Sequence, residues 1–125
     1  MGEKSEVIVD TDILIKIYRG NKEHKRVLQD LSPNLNQMEL LIGCNNKKMQ
    51  DEVEKNLQSY KILLLNARVS SIANEIIKKY SFSYKMSVAD IFIAATALFY
   101  SLELYTDNKK HFDFIKELTL FSHGI

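Results

Sequence analysis

The run Val7-Ile8-Val9-Asp10, followed at once by Thr11-Asp12-Ile13-Leu14-Ile15-Lys16-Ile17-Tyr18, decides how the chain is read. Three β-branched residues without polar alternation predict a strand covered on both faces, the habit of parallel sheets. The eight residues after Asp10 are too many and too apolar for a turn. With Asp10 or Thr11 as N-cap they predict a helix that stops before Gly20-Asn21. A buried strand that ends in an acid and runs straight into a helix opens an α/β unit.

The same alternation continues outward. Lys22 to Leu31 carries Val27, Leu28 and Leu31 at helical spacing, and Ser32-Pro33-Asn34, with the only proline, breaks the chain. Gln37 to Gly43 predicts a short helix, and Lys47 to Tyr60 an exposed one with Met49, Val53 and Leu57 on one face. Ile62 to Leu65 reads as a second buried strand and Ala67 to Tyr80 as an amphipathic helix. After a loop at Ser81 to Met86, Ser87 to Leu98 forms the most apolar helix, expected at the centre. Leu102 to Thr106 is the third strand candidate and Leu118 to Phe121 a weak fourth. Strands alternating with helices, and no hairpin dipeptides, predict an α/β fold: a parallel sheet sandwiched between helices.

A length of 125 residues predicts a single domain, 1–125, with its core between about 7 and 121. Lys and Arg number 17 against 16 Asp and Glu, so net charge supplies no bulk attraction to nucleic acid or to a membrane. One cysteine, Cys44, excludes an intramolecular disulfide and a multi-cysteine zinc site. No apolar run approaches the roughly 20 residues of a membrane helix, and Met1 to Glu6 lacks a signal-peptide core. These features predict a soluble, cytoplasmic protein with no membrane partner.

In open α/β sheets ligands bind beyond the carboxyl ends of the strands. Asp10 ends the first strand, Asp107 and Asn108 follow the third, Asp90 opens the apolar helix and Glu39 the short one. Carboxylates crowded together must protonate or be neutralised by a cation, and oxygen donors suit Mg²⁺ or Mn²⁺. Such an ion activates water and offsets charge on a phosphodiester. Each acid also has a plainer reading. Ser87-Val88-Ala89-Asp90 fits a capping box, Asn36 to Glu39 a looser one, and Asp10 and Asp107 are placed to cap helices.

Four segments, taken in order, resemble the PIN-domain family, and in particular the VapC toxins of bacterial toxin–antitoxin pairs. They are Val7 to Ile15 with Arg19-Gly20, Met38 to Gly43 with Asn46-Lys47-Lys48, Ala89 to Ala97, and Leu104 to Phe112. The likeness runs from about Val7 to Phe121. It implies a PIN fold, a Mg²⁺- or Mn²⁺-dependent endoribonuclease that acts on RNA, tRNA among the candidates, a homodimer, and a cognate VapB-like antitoxin. Asp10, Glu39 and Asp90 match the family's three core metal-binding acids. Thr106 matches a family hydroxyl that bonds a metal-bound water or steadies the acids, and is a candidate substrate contact; its plainer reading is an ordinary strand-end residue.

Two departures stand beside the resemblance. The family's fourth acid falls two residues after the Thr, where this chain has Asn108, with Asp107 one residue early. Asn108 still offers a carbonyl oxygen to the site, and Asp107 is the candidate metal ligand at that end. The segment Leu31 to Glu39 leaves almost no room for the strand that usually precedes the Glu motif, which reads as a local deletion or missing residues. Both departures motivate an alternative: a catalytically weakened PIN domain acting as an RNA- or protein-binding module. A phosphoacceptor signalling domain also places acids at strand ends, but Ile62 to Leu65 leads into Asn66 where it would need an Asp.

Lys47, Lys85 and Lys109, with Lys48 and Lys110, lie near motif ends and are candidate phosphate contacts; a solvated charged face explains them equally. Tyr84 is placed to stack a base or to pack at its loop edge, and His111 to act as a base or to pack. Lys16 offsets the acids if it turns inward. Ile13, Leu14, Ile17 and Tyr18, with Phe92, Phe99 and Tyr100, leave apolar surface for a second copy or a partner helix.

Overall fold

A computed structural model of the chain describes residues 4–36, 44–56 and 60–122. Among the described residues four parallel strands form one sheet in the order β3-β2-β1-β4. They are β1 (Ser5–Val9), β2 (Leu31–Leu35), β3 (Lys61–Ile62) and β4 (Glu103–Tyr105). Helices α1 (Thr11–Tyr18) and α2 (Lys22–Gln29) connect β1 to β2, and α3 (Lys47–Asn56) precedes β3. Helices α4 (Ala67–Tyr80) and α5 (Val88–Phe99) lie between β3 and β4, and a 3-10 turn spans Lys109–His111. The parallel α/β sandwich expected from the sequence is the architecture observed.

Side-chain alternation along β1 divides the core in two. Ile8 joins Leu104, Val69, Ala73, Ile93 and Ala94 on the α4/α5 face. Val7 and Val9 join Ile13, Leu14, Leu28 and Tyr105 on the α1/α2 face. Both faces of β1 are therefore dry, which is why its three residues needed no polar alternation. Register fixes the neighbours: Val7 is opposite Pro33 on β2 and Glu103 on β4, and Val9 is opposite Tyr105.

Helix ends follow local chemistry. At the end of α1 the Asn21 amide donates to Lys16 O and the Gly20 amide to Ile17 O, both at 2.9 Å. This is a Schellman turn, and Gly20 takes the left-handed conformation it requires, φ +102°. Asn21 then accepts the His24 amide on its side chain at 2.9 Å and starts α2. Helix α5 ends the same way with Ser101 in the left-handed position, φ 56°, where glycine is usual. Its start is the expected Ser87 cap, whose hydroxyl accepts the Asp90 amide at 3.0 Å.

Three expectations need correction. The strand for which Leu31 to Glu39 left no room is present as β2, and Pro33 sits inside it. Leu35 O accepts the Leu63 amide, so the backbone groups of Leu35, and two residues earlier of Pro33, face the β3 edge. Pairing with β3 begins only at Asn34–Lys61, so the missing N–H of Pro33 faces a stretch with no ladder. The run Ile62 to Leu65 contributes only Ile62 to a strand, and Leu64 is 73% exposed rather than buried. Leu118 to Phe121 supplies a single parallel bridge, Leu104 to Leu120. The expected helix at Gln37 to Gly43 lies outside the described residues.

Candidate active site

β1 feeds directly into Asp10 and β4 into Thr106, and the Asp10 amide donates to Tyr105 O at 2.9 Å, extending the ladder past both strand ends. The chain leaves β1 toward β2 on one side, while β4 lies on the other, so this is the point where connections diverge and a crevice forms.

Asp10 occupies the N-cap position of α1, yet its carboxylate makes no capping hydrogen bond. It is 6% exposed, and its Oδ2 accepts the Thr106 hydroxyl at 2.6 Å. The Asp12 backbone amide also favours the charged carboxylate, and the Thr106 bond ties it to the end of β4. Thr106 Oγ1 in turn accepts the Asn108 amide at 2.9 Å, and Asn108 Nδ2 donates to Asp12 Oδ2 at 2.8 Å. Burial pushes the Asp10 carboxyl above the usual carboxylate range; the Thr106 hydroxyl pulls it down, and the charges of Asp12 and Asp90 push it up. Asp90, on the first turn of α5, has its Oδ2 3.1 Å from His111 Nδ1.

A second chain of contacts borders the acids. Asp107 Oδ2 accepts Lys16 Nζ at 2.6 Å and His24 Nε2 at 2.8 Å. His24 Nδ1 lies 2.6 Å from the Tyr105 hydroxyl. Burial, then the charges of Asp107 and Glu23, push the Tyr105 phenol up to about 12, so its hydroxyl stays protonated beside the ring. Burial would raise Asp107, but the hydrogen bonds and charges of Lys16 and His24 outweigh it and hold the carboxyl below its usual range. The Asp107 hydrogen bond raises Lys16 above its ordinary value against some desolvation, and the charges of Asp107, Asp12 and Asp10 add to the rise.

Alternation along the extended segment after β4 separates the two groups. Tyr105 and Asp107 turn toward His24 and Lys16, whereas Thr106 and Asn108 turn toward Asp10 and Asp12.

The remaining expected residues fall elsewhere. Glu39 lies outside the described residues. Lys47 is exposed and 3.3 Å from Asp51 one helical turn on; Lys85 and Lys109 are exposed, on the loop before α5 and on the 3-10 turn. Tyr84 stacks on Phe114 with centroids 4.0 Å apart, and His111 meets Asp90 while its ring lies tilted against Phe112, centroids 6.4 Å apart. Sequence reading passed over Asp12 and His24. Asp12 had a signal, since an acid two residues after Asp10 shares the first turn of its helix. His24 had none, because only the Schellman turn brings it back toward β4.

A model of the PIN domain matches residues 7–117. The chain belongs to the PIN-domain family. Among curated relatives, Ribonuclease VapC1 of Methanocaldococcus jannaschii is 27% identical over 126 residues, covering 94% of this chain and 87% of that protein. Among solved structures, a toxin–antitoxin complex from Klebsiella pneumoniae matches with TM-score 0.75 and 24% identity over 90% of this chain and 95% of that one. VapBC2 from Rickettsia felis, bound to a DNA fragment from its promoter, matches with TM-score 0.78 and 19% identity over 93% and 97%. These structures share the fold of this PIN domain.

The donor set fits a hard cation. Asp10 is a desolvated carboxylate within the field of two further acids, Asp12 and Asp90, and carboxylate oxygens suit a hard cation. Among the described residues no group of three or more His, Cys, Asp or Glu is arranged to hold a metal ion. No helix among the described residues is long and apolar enough to cross a membrane.

Proposed function

We propose that this PIN domain is a Mg²⁺- or Mn²⁺-dependent endoribonuclease, the toxin of a VapBC-type pair that works as a homodimer and is silenced by a VapB-like antitoxin. The observation that carries the reading is Asp10: buried, held by Thr106, and within the field of Asp12 and Asp90. The family match, the name of the curated relative and the toxin–antitoxin neighbours support it.

Asp10, Glu39 and Asp90 hold the ion in this reading, and the Asn108 carbonyl completes the shell. A bound divalent cation supplies a more acidic water and offsets charge on the phosphodiester. Thr106 fixes the Asp10 carboxylate through its 2.6 Å bond and keeps it turned to the substrate side. Burial of Asp10 raises the free energy of its charged form, so cation binding relieves a strain that the fold imposes. Lys47, Lys85 and Lys109 offer cationic contacts to flanking phosphates. Asp107 serves as an anchor for Lys16 and His24 in place of a metal ligand.

The test is cleavage of total RNA and purified tRNAs by the purified protein with Mg²⁺ or Mn²⁺, with EDTA, and beside Asp10→Asn and Asp90→Asn. Discrete fragments that need metal and vanish in both variants are expected. Absence of cleavage with RNA binding retained would leave the binding-module alternative standing.

A further inference from the structure

Lys16 stands at the end of the sheet where the acids lie: its partner Asp107 directly follows Thr106, whose hydroxyl holds Asp10, and Asp107, His24 and Tyr105 form a chain of contacts that holds the ammonium there. Its ammonium is 2.6 Å from Asp107 Oδ2; that oxygen also accepts His24 Nε2, and His24 rests on the Tyr105 hydroxyl at 2.6 Å. The support is rigid at both ends. Tyr105 is a fully buried residue of β4, opposite Val9. Lys16 and His24 are tied by the Schellman turn, in which Lys16 O accepts the Asn21 amide while Asn21 caps His24. Lys16 nonetheless keeps a 43% exposed side chain, and it feels the charges of Asp10 and Asp12 as well as Asp107. A lysine buried only as a counter-ion would not need that exposure. Its ammonium has three donors, and the one known hydrogen bond to Asp107 leaves capacity for a second anion arriving from solvent.

We propose that Lys16 is a catalytic contact to the phosphate under attack, and that Asp107, His24 and Tyr105 are positioning residues that hold its ammonium beside the carboxylates. The inference rests on the nuclease reading above and names the group that meets the phosphate negative charge. Acids alone repel an RNA backbone, so a site built on Asp10, Asp12 and Asp90 gains from one fixed cation at its rim. Lysine suits the place as a point charge of adjustable reach.

The experiment compares wild type, Lys16→Met, Lys16→Arg, Tyr105→Phe and a charge-matched control, Lys4→Met. Lys4 precedes β1 at the opposite end of the sheet, where it donates to Gln29 O. Binding of a fluorescein-labelled single-stranded RNA is read by anisotropy in EDTA over a salt series; cleavage with Mn²⁺ gives kcat and KM. Lys16→Met should weaken binding about tenfold and reduce the slope of log affinity against log salt by about 0.7, one phosphate contact on a single strand. Lys16→Arg should recover most of both, and Lys4→Met should match wild type. Tyr105→Phe should lower kcat about threefold with KM and the salt slope unchanged, as loosened positioning requires. Unchanged binding and slope in Lys16→Met would overturn the phosphate contact and leave Lys16 a counter-ion of the acids. Unchanged kcat in Tyr105→Phe would overturn the positioning chain. A wild type that cleaves no RNA with either metal overturns the nuclease reading itself, an outcome separate from both.

Discussion

Replacing Thr106 with Val swaps a hydroxyl for a methyl at nearly constant volume, so the change opens no cavity. It removes two hydrogen bonds, the 2.6 Å bond to Asp10 Oδ2 and the 2.9 Å bond from the Asn108 amide. A hydrogen bond to a charged group contributes roughly 1.5–3 kcal/mol and a neutral one about 1 kcal/mol. With Asp10 ionised, Thr106→Val should therefore lose about 2.5–4 kcal/mol, well within the roughly 5–15 kcal/mol of an ordinary domain. For a chain of this size the loss is about 10–15 °C in Tm. The pH dependence gives a sharper signature. Asp10 has a folded pKa raised above the ordinary 3.8. The folded protein thus holds that proton more tightly than the unfolded chain, a contribution present below the unfolded value and lost as pH rises through the folded one. Thr106 favours the charged carboxylate, so the stability gap between wild type and Thr106→Val should be small at acid pH and widen as Asp10 ionises. Urea unfolding followed by circular dichroism between about pH 4 and pH 9 measures the gap directly. A gap below about 0.5 kcal/mol at the alkaline end, or one that narrows as pH rises, would refute the reasoning.

Other perturbations probe separate features. Ser101→Gly relieves a left-handed serine at the end of α5 and should stabilise the protein by about 1 kcal/mol in thermal melts; a loss of stability would mean its side chain is needed there. Ile8→Ala empties a fully buried position on the central strand and should destabilise by roughly 2–5 kcal/mol by urea titration. Pro33→Ala should change stability by less than about 1 kcal/mol, because the restored amide faces an unpaired stretch of β2; a larger loss would show that the ring itself packs. Mn²⁺ at about a hundred times its Kd should stabilise wild type by about 2.7 kcal/mol, and Asp10→Asn should abolish that gain while melting no lower than metal-free wild type. A rise in Tm with Mn²⁺ that survives in Asp10→Asn would place the ion elsewhere.

The fold was legible where one kind of signal dominated. Val7 to Val9 announced a strand dry on both faces, and Ser87 with Asp90 announced a helix start, because burial and capping are local and strong. Pro33 misled for an equally physical reason. Its ring excludes only a donor, and whether a donor is needed depends on where β3 begins to pair, a fact settled twenty-eight residues away at Lys61. Ile62 to Leu65 misled in the opposite sense: four apolar residues promised a buried strand, yet the ladder ends early and Leu64 faces solvent. The site divides along the same line. Asp10 and Thr106 could be found because each follows the end of a strand. His24 could not, since nothing in its neighbourhood of the sequence points to β4.

The pair Asp107-Asn108 shows how one residue of offset changes chemistry. Successive side chains of an extended segment leave on opposite sides. An acid at 108 would stand where Asn108 now donates to Asp12, adding a negative charge to Asp10 and Asp12 and demanding more from any cation. With the acid at 107 instead, its charge is delivered to Lys16 and His24, and the carboxamide at 108 becomes a donor that restrains Asp12. The exchange leaves the net charge of the segment untouched while moving one carboxylate from the acidic side of the crevice to the cationic side. An Asp107→Asn, Asn108→Asp double variant reverses that exchange without altering composition or charge. It should bind Mn²⁺ at least several-fold more tightly by isothermal titration, since a further anionic oxygen then faces Asp10, and it should bind RNA more weakly because Lys16 has lost its anchor. Tighter metal binding accompanied by unchanged RNA affinity would separate the two halves of the argument, keeping the offset and discarding the anchor.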